Sequence, residues 1–317
     1  MKILISDKTS PLCAQILKEA GHQVDEKPGL SPEELKAIIG EYDGLIVRSA
    51  TKVTAEIIEA ARNLKVIGRA GSGVDNIDLK AAEARGIVVM NTPGGNTNAV
   101  AELTLGFMFA LSRNLFAAIS SLKAQKWEKK KFQGTELEGK MVGFLGYGRV
   151  SRTCGQKCLA LGMQVQYFDP KIRKNLTDQD GLELRADLDE VLSTSDFVSV
   201  HLTKKPETVN FVDAPQFEHM KDGVYFINCS RGGIVNEAAL LQALESGKVA
   251  AAALDVYAQE PPTDFRLVEH PRVICTPHIG ASTREAQENV AVQIARQFVD
   301  MFAGKGIRNA VTRVPGK

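Results

Sequence analysis

The chain has 317 residues, the length of about two ordinary domains, and 44% of them are hydrophobic, enough to fill two cores. The 39 basic residues nearly balance the 38 acidic ones, so charge gives no reason to expect nucleic acid or an anionic membrane as a partner. No apolar run reaches the roughly 20 residues that a membrane-spanning helix needs. The first residues, MKILISDKTS, have the pattern of a strand and not of a signal peptide.

The five cysteines are odd in number and scattered along the chain. Cys154 and Cys158 lie four residues apart on a predicted helix, which matches neither a CxxC redox pair nor a zinc knuckle. We therefore expect reduced thiols, no bound metal and a cytoplasmic protein.

Short apolar segments alternate with helical patterns in the first part of the chain. The predicted strands are KILIS, GLIVRS, LKVIGRA and GIVVMN, and helices are predicted near 11–20, 54–61 and 78–84. In SPEELKAII, Ser31 is the predicted N-cap, Pro32 the first helical residue and Glu34 the partner in a capping box. This βαβαβ series is typical of a parallel sheet that helices cover on both faces.

A long helix is predicted over about 97–119 and interrupts this rhythm. A second series follows, with the strands KMVGFLG, QVQYF, FVSVHL, GVYFINCS, VAAAALDV and RVICTP. The last helix, roughly 283–303, comes after the sixth of these strands, and little chain remains. We infer that this helix returns to the first domain, so that the second domain is inserted in the first.

The stretch GFLGYGRVSR places Gly146 and Gly148 where a strand turns into a helix. In a dinucleotide-binding fold the first glycine permits the tight turn, the second lets the backbone approach the pyrophosphate, and the helix N-terminus attracts that anion. Asp169 follows roughly 20 residues later, where an acid accepts hydrogen bonds from the adenosine ribose and repels the extra phosphate of NADP. Ser151 stands where the pattern has glycine or alanine, so we expect a looser contact between helix and strand.

One histidine, His278 in TPHIGAST, follows an apolar strand and is a candidate acid–base group. Glu260 lies in a loop that two prolines stiffen, where it can orient an imidazole and stabilise its charged form. Arg231 and Asp255 follow predicted strands, and ligands of open α/β sheets bind at the carboxyl ends of strands. A guanidinium there can bind a carboxylate through two hydrogen bonds. Taken singly, each residue has a plainer interpretation: a polar strand end, a solvated loop acid, a surface ion pair or a cap.

The order of these motifs, with YFDP, NCSRGGIVNE, ALDVYAQEPP and PHIGAST, resembles the D-isomer-specific 2-hydroxyacid dehydrogenase family. Four more stretches, GLIVRSATKVT, GRAGSGVDNID, VMNTPGGN and KWEKKKFQGTEL, extend the resemblance over nearly the whole chain. They place the chain nearest to the members that act on 3-phosphoglycerate.

The resemblance implies roles for individual residues. Arg231 is expected to bind the substrate carboxylate and carbonyl. Glu260 is expected to orient the imidazole of His278, and His278 to act as acid and base. Expected cofactor contacts, besides Gly146, Gly148 and Asp169, are Ser72, Arg149, Val150, Leu202, Cys229, Ser230, Asp255, Gly280 and Ala281. Expected substrate contacts are Arg48, Arg69, Ser72, Gly73 and, from a neighbouring subunit, Lys129. Ser151, Thr203 and Lys129 depart from the family's usual residues, which bears on the cofactor affinity and the phosphate site.

The predicted fold is α/β with two doubly wound parallel-sheet domains. A flavodoxin-like substrate domain is expected over 1–93 and 282–317, and an inserted Rossmann-type NAD-binding domain over 94–281. The implied reaction is the NAD-dependent oxidation of 3-phosphoglycerate to 3-phosphohydroxypyruvate, which opens the phosphorylated route to serine, in a homodimer. Two alternatives stay open: a glyoxylate or hydroxypyruvate reductase without a phosphate site, and a dinucleotide-sensing transcriptional co-repressor that keeps the fold without turnover.

Overall fold

The computed structural model describes residues 1–313. The chain divides into two compact units, Met1–Asn96 with the chain from Ser282 onward, and Thr97–Ala281. Each unit contains one β-sheet with helices packed against it, and almost all strand pairs are parallel. The predicted α/β class with two parallel sheets is therefore confirmed.

The first unit contains five parallel strands in the order β2-β1-β3-β4-β5, the flavodoxin-like order. The strands are β1 (Lys2–Ile5), β2 (Gln23–Glu26), β3 (Gly44–Val47), β4 (Val66–Arg69) and β5 (Val88–Met90). Its helices are α1 (Pro11–Glu19), α2 (Pro32–Ile38), α3 (Ala55–Ala60), α4 (Leu79–Ala84) and the last helix of the chain, α11 (Arg284–Phe302). The short polar strand β2 was not among the predicted strands.

Local sequence signals account for two features of this unit. The predicted capping box starts α2: the Glu34 N–H donates to Ser31 Oγ at 3.2 Å, and the Ser31 N–H donates to the Glu34 carboxylate at 2.8 Å. Helix α11 lies close against the sheet because two strand residues are glycine. A Cβ at Gly44 or Gly68 would lie 2.8 or 2.4 Å from the ring of the buried Phe298.

The second unit contains eight strands and six α-helices. The strands are β6 (Met141–Leu145), β7 (Gln164–Phe168), β8 (Leu176–Thr177), β9 (Glu183–Arg185), β10 (Phe197–Val200), β11 (Val224–Asn228), β12 (Val249–Leu254) and β13 (Val273–Cys275). The helices are α5 (Thr97–Ser112), α6 (Leu115–Lys123), α7 (Arg149–Ala160), α8 (Leu188–Thr194), α9 (Ala214–His219) and α10 (Glu237–Glu245).

The order of strands in the second sheet is β13-β12-β11-β10-β6-β7-β9-β8, and only β8 and β9 pair antiparallel. From β6 the chain first builds outward through β7 and β9, then crosses back to β10 on the other side of β6. Such a reversal opens a crevice at the carboxyl ends of the strands, where ligands of doubly wound sheets bind.

The single helix predicted over about 97–119 is wrong, because α5 and α6 are separate helices bent by 64° at their junction. Asn114 lies at the break with φ 52°, and a left-handed residue ends the helical run. Among the described residues no single helix has the length and apolar composition to cross a membrane, although α5 and α6 taken together pass that test.

All five cysteines are free, and four of them, Cys13, Cys154, Cys158 and Cys229, are buried. Burial raises the pKa of the Cys13 and Cys229 thiols to about 12. The hydrogen bond with Cys158, together with burial, raises the pKa of Cys154 well above its ordinary value. The thiols of Cys13, Cys154 and Cys229 are therefore neutral side chains of the two cores.

Candidate active site

His278 and Glu260 form a hydrogen-bonded pair in the second unit. Nδ1 of His278 lies 2.6 Å from Oε2 of Glu260. The other carboxylate oxygen, Oε1, accepts the N–H of Tyr257 at 3.1 Å, so the carboxylate is held from two sides. With Nδ1 bound to the carboxylate, Nε2 is the nitrogen that remains for proton exchange with a substrate.

The backbone at His278 is fixed by Asp255, a carboxylate only 1% exposed at the end of β12. One Asp255 oxygen accepts the N–H of Ile279 at 2.7 Å and the hydroxyl of Thr276 at 2.5 Å, and the other accepts the N–H of Gly280 at 2.8 Å. His278 has φ 53°, in the left-handed region that residues other than glycine seldom adopt. Asp255 therefore holds the tight turn that carries the imidazole, a role that the sequence did not reveal.

Arg231 follows the carboxyl end of β11 on a loop that the side chain of Asn228 organises. The Asn228 amide oxygen accepts both the N–H and the hydroxyl of Ser230, at 3.0 and 2.8 Å, and its Nδ2 donates to the Arg231 carbonyl at 3.3 Å. The Arg231 guanidinium donates to the Ser230 carbonyl at 2.8 Å and is partly exposed. The loop thus presents a cation at the same sheet edge as Asp255.

The charges of these groups act on one another. The hydrogen bond with Glu260 raises the pKa of His278, although burial and the positive charge of Arg231 oppose the shift. Burial alone would raise the pKa of Glu260, but its hydrogen bonds with His278 and Tyr257 bring that pKa below its ordinary value. Glu260 is therefore ionised at neutral pH and favours the imidazolium form of His278.

The glycine turn after β6 has the geometry of a dinucleotide loop. Gly146 has φ 110°, and a Cβ there would lie 2.6 Å from the carbonyl oxygen of His201, at the end of β10. Only glycine fits this turn between the two strands at the sheet reversal. A Cβ on Gly148 would meet nothing within 4 Å, so the space beside this residue is open, as a bound pyrophosphate requires.

Ser151 is accommodated within the turn. Its buried hydroxyl accepts the Gly148 N–H at 3.0 Å and donates to the Gly148 carbonyl at 3.1 Å. The close helix–strand approach that the third glycine of the pattern usually permits occurs one turn later. A Cβ on Gly155 would lie 1.7 Å from the hydroxyl oxygen of Tyr167. Arg149 and Val150 begin α7, where N–H groups have no acceptor inside the helix and can bind an anion.

Asp169 stands at the end of β7 beside the glycine turn. Its Oδ2 accepts the N–H of Tyr147 at 3.1 Å, and its Oδ1 accepts the N–H of Lys171 at 3.0 Å. Each carboxylate oxygen keeps further acceptor capacity for a hydroxyl group. The carboxylate is thus oriented from both sides, beside the glycine turn.

Most of the other residues predicted to contact the cofactor follow strands of the second sheet. Leu202 follows β10, Cys229 and Ser230 follow β11, and Gly280 and Ala281 follow β13 and the His278 turn. Leu202 and Cys229 are buried, so they offer backbone groups or apolar surface, not charge. Among the residues described, no three His, Cys, Asp or Glu side chains lie together as a metal ion would need.

Four predicted substrate residues lie in the first unit. Arg48 and Arg69 lie at the carboxyl ends of the adjacent strands β3 and β4. Arg48 Nη1 donates to the carbonyl of Lys8 at 3.1 Å, and Arg69 Nη1 donates to the carbonyl of Ala70 at 3.3 Å.

Ser72 and Gly73 form the turn that follows β4. The Ser72 hydroxyl donates to the side chain of Asn96 at 2.7 Å, and the Ser72 carbonyl accepts from Asn91 at 2.6 Å. The turn is therefore held from two sides. Lys129, in the second unit, lies on an exposed 3₁₀ turn.

Residues 105–280 match the family model for the D-isomer specific 2-hydroxyacid dehydrogenase, NAD binding domain. The D-3-phosphoglycerate dehydrogenase of Sus scrofa is 49% identical over 310 residues, which cover 98% of this chain and 58% of that protein. The chain thus spans little more than half the length of this relative.

Two solved structures are similar over nearly the whole chain. The TT0316 protein from Thermus thermophilus superposes with a TM-score of 0.89 at 32% identity, covering 98% of this chain and 100% of that one. The NAD⁺-bound 3-phosphoglycerate dehydrogenase of Entamoeba histolytica superposes with a TM-score of 0.83 at 29% identity, and 99% of each chain is covered. The chain therefore belongs to the D-isomer specific 2-hydroxyacid dehydrogenase family, and its second unit contains the NAD-binding domain of that family.

Proposed function

We propose that the chain is an NAD-dependent dehydrogenase that oxidises D-3-phosphoglycerate to 3-phosphohydroxypyruvate. The observation that carries the proposal is the 2.6 Å hydrogen bond between His278 and Glu260, on the unit that matches an NAD-binding domain. The name of the relative from Sus scrofa supports the choice of substrate. Such a reaction begins the phosphorylated route to serine. The reduced thiols predicted from the cysteine spacing favour a cytoplasmic location, which stays a prediction.

The proposed mechanism assigns one task to each of three side chains. Neutral His278 takes the proton of the substrate's 2-hydroxyl group through Nε2, and ionised Glu260 stabilises the imidazolium that forms. Arg231 binds the carboxylate and polarises the C2 oxygen. A bound NAD, which Gly146, Gly148 and the start of α7 would hold, would supply the acceptor for the hydride of C2. In the reverse direction the imidazolium returns its proton to the carbonyl oxygen.

The second unit contains most of the residues that we propose as cofactor contacts. Gly146, Gly148 and the N–H groups of Arg149 and Val150 would hold the pyrophosphate, and Asp169 the adenosine ribose. Because a carboxylate at this position repels a 2′-phosphate, NAD is the expected choice over NADP. The remaining contacts predicted from the family resemblance, including those of Ser72 and Asp255, stay predictions.

The proposed substrate is tested by comparing phosphorylated and unphosphorylated 2-hydroxy acids. We expect Arg48→Ala to raise the KM for 3-phosphoglycerate about tenfold or more, because a charge-assisted contact to the phosphate is lost. The KM for NAD and the weak turnover of glycerate, which lacks the phosphate, should stay nearly unchanged. Steady-state kinetics with 3-phosphoglycerate, glycerate and lactate measures all of these effects.

Arg62→Ala is the matched control, since Arg62 is an exposed arginine of the same unit away from the strand ends. If Arg48→Ala raised both KM values equally, the arginine would have a folding role and the phosphate assignment would be wrong. Wild-type activity on glyoxylate or hydroxypyruvate that exceeds activity on the phosphorylated acid would favour the reductase alternative. NAD binding without turnover of any of these acids would favour the co-repressor.

We also propose a homodimer, in which the exposed apolar face of α5, α6 and the segment after them is covered. The face consists of Phe109, Leu115, Phe116, Ile119, Leu122 and Trp127, of which Trp127 is 81% exposed. None of the side chains of α6 is buried within the chain, although this helix is predominantly apolar. An exposed apolar patch of this kind is typical of a protein interface.

We expect Phe116→Glu to convert the dimer to a monomer, because a charge would be buried without a partner at the interface. Light scattering at micromolar concentration measures the mass directly. Phe265→Glu is the matched control, since Phe265 is 50% exposed elsewhere on the same unit, against 55% for Phe116. A wild-type protein that is monomeric, or a Phe116→Glu variant that stays dimeric, would contradict this assignment.

A further inference from the structure

The segment between β7 and α8 starts at Asp169 and forms a small hairpin at the edge of the second sheet. Strands β8 and β9 pair antiparallel, and β9 pairs parallel with β7. Only two side chains of the hairpin, Leu182 and Leu184, are buried in the core. Apolar packing therefore holds one side of the hairpin, and polar contacts must hold the other.

Two polar contacts join the turn of the hairpin to the cofactor loop and its helix. The hydroxyl of Tyr147, the residue between the two glycines, donates to Oδ2 of Asp178. Nη2 of Arg152, in the first turns of α7, donates to Oδ2 of Asp180 at 3.0 Å. Both acceptors belong to the same turn, so the hairpin is attached at two points.

The groups that make these contacts are fixed in turn. The Tyr147 ring meets the edge of Tyr167 at 5.2 Å between centroids, and the Arg152 guanidinium lies 5.2 Å from the Tyr147 ring centroid. Oδ1 of Asp178 accepts the N–H groups of Asp180 and Leu182, each at 2.9 Å. Neither the phenol nor the carboxylate can turn away without breaking other contacts.

Tyr147 also contacts Asp169 directly. Its N–H donates to Oδ2 of Asp169 at 3.1 Å, while its hydroxyl holds the hairpin that continues from Asp169. One residue of the glycine turn thus fixes the acidic side chain through its main chain and the following segment through its side chain. A shift of Tyr147 would displace both.

We propose that the pairs Tyr147–Asp178 and Arg152–Asp180, here called the clasp, position Asp169 for the ribose hydroxyls and so determine the preference for NAD over NADP. The four residues are positioning residues, because they act through Asp169 and not on the reacting atoms. The proposal rests on the proposed role of Asp169 in ribose binding.

The protonation states agree with this arrangement. Burial, with the hydrogen bond to Asp178, raises the pKa of Tyr147 to about 12, so the phenol keeps its proton and donates at neutral pH. Burial opposes ionisation of Asp178, but the hydrogen bonds from Tyr147 and from two backbone N–H groups lower its pKa below the ordinary value. The donor and the acceptor are therefore both in the form that the contact needs.

The test is Tyr147→Phe, which removes the donor but keeps the ring between Tyr167 and Arg152. We expect the Kd for NAD and for ADP-ribose, measured by direct titration of the full chain, to rise about fivefold, the effect of one hydrogen bond. The Kd for NADP should rise less, or fall, so that the preference for NAD over NADP becomes smaller. The kcat at saturating NAD should change by less than about twofold, because the reacting groups are untouched.

Asp178→Asn keeps the size of the side chain and removes the charge, and it should reproduce the effect of Tyr147→Phe. The double variant should bind NAD no more weakly than either single variant, since both changes remove the same charge-assisted hydrogen bond. Matched controls are Tyr225→Phe, a half-buried tyrosine on β11 whose ring stacks on Phe197, and Asp222→Asn, an exposed aspartate paired with Lys248. Neither control should change the two affinities.

An unchanged Kd for NAD and an unchanged NAD-to-NADP ratio in Tyr147→Phe would overturn the proposal. A rise that is equal for NAD and NADP and parallels a fall in Tm would also overturn it, because the clasp would then only stabilise the sheet edge. Asp169→Ala measures how much the carboxylate itself contributes to the preference for NAD. If this variant kept the wild-type ratio of NAD to NADP affinity, Asp169 would not determine the preference and the clasp could not act through it. Because binding is titrated directly, failure to turn over 3-phosphoglycerate affects the proposed function alone.

Discussion

Replacing Glu260 by glutamine should move the pH–rate profiles of the proposed oxidation and of its reverse, the reduction, to lower pH. The hydrogen bond with Glu260 raises the pKa of His278 above its ordinary value, so removing the charge lowers that pKa. In the proposed mechanism, oxidation needs neutral His278 and is lost as pH falls through this pKa, so the variant should stay active further into acid. Reduction needs the imidazolium and is lost as pH rises, so the variant loses it earlier. The measurement is kcat/KM against pH in both directions.

His278→Ala should instead remove the pH limb together with most of the turnover, a loss of order 10²–10⁴-fold for one acid–base group. NAD binding should persist, since His278 lies in a turn and not in the glycine loop. His219→Ala is the matched control, because His219 is exposed and pairs with Asp189 at 2.8 Å in another part of the unit. If the limbs of Glu260→Gln coincided with those of wild type, Glu260 would not tune His278.

Gly232→Ala should be among the most damaging single-methyl changes in the second unit. A Cβ at this buried position would lie 1.6 Å from the carbonyl oxygen of Tyr257 and 2.1 Å from its carbonyl carbon. Both atoms are backbone, so the loop of Arg231 and the loop of Glu260 would have to separate. We expect the free energy of unfolding to fall by about 3 kcal/mol or more, which lowers the Tm of a unit of this size by roughly 6–12 °C. Thermal unfolding measures the loss of stability, and kcat/KM measures the effect of the separated loops on the proposed activity.

Gly106→Ala is the control for the added methyl group. Gly106 lies on the side of α5 that is exposed within a single chain, and a Cβ there meets nothing of that chain within 4 Å. Because alanine is the better helix former, we expect this variant to be about 0.5–1 kcal/mol more stable. A Gly232→Ala protein with the Tm and kcat/KM of wild type would show that the two loops do not approach as described.

The sequence predicts the parts of the fold that local patterns determine. Apolar runs identify the buried strands, and Ser31 with Glu34 identifies a helix start, because these signals depend on neighbouring residues alone. The break at Asn114 was missed, since one left-handed residue within an apolar stretch leaves no periodic signal. Strands β8 and β9 were missed for a related reason: only Leu182 and Leu184 of this polar hairpin are buried.

The residues of the candidate site, like the elements of the fold, were predicted only in part from the sequence. The positions of Arg231, Glu260 and His278 were predicted from strand ends, prolines and resemblance, and the structure brings Glu260 and His278 into contact. Asp255 was predicted as a cofactor contact or a cap, but not as the residue that holds the His278 turn, because its hydrogen bonds to backbone N–H groups more than 20 residues later cannot be inferred from spacing. Tyr147 was not predicted at all, since only the folded hairpin gives its hydroxyl a partner.

The buried cysteines give each unit a chemical reporter of its own. Alkylating reagents attack thiolates, and burial keeps these thiols both protonated and out of reach of solvent. A thiol reagent therefore modifies Cys13 only while the first unit is open, and Cys229 only while the second is open. The rate of labelling at each cysteine, followed by mass spectrometry without any substitution, consequently records the opening free energy of the two units separately.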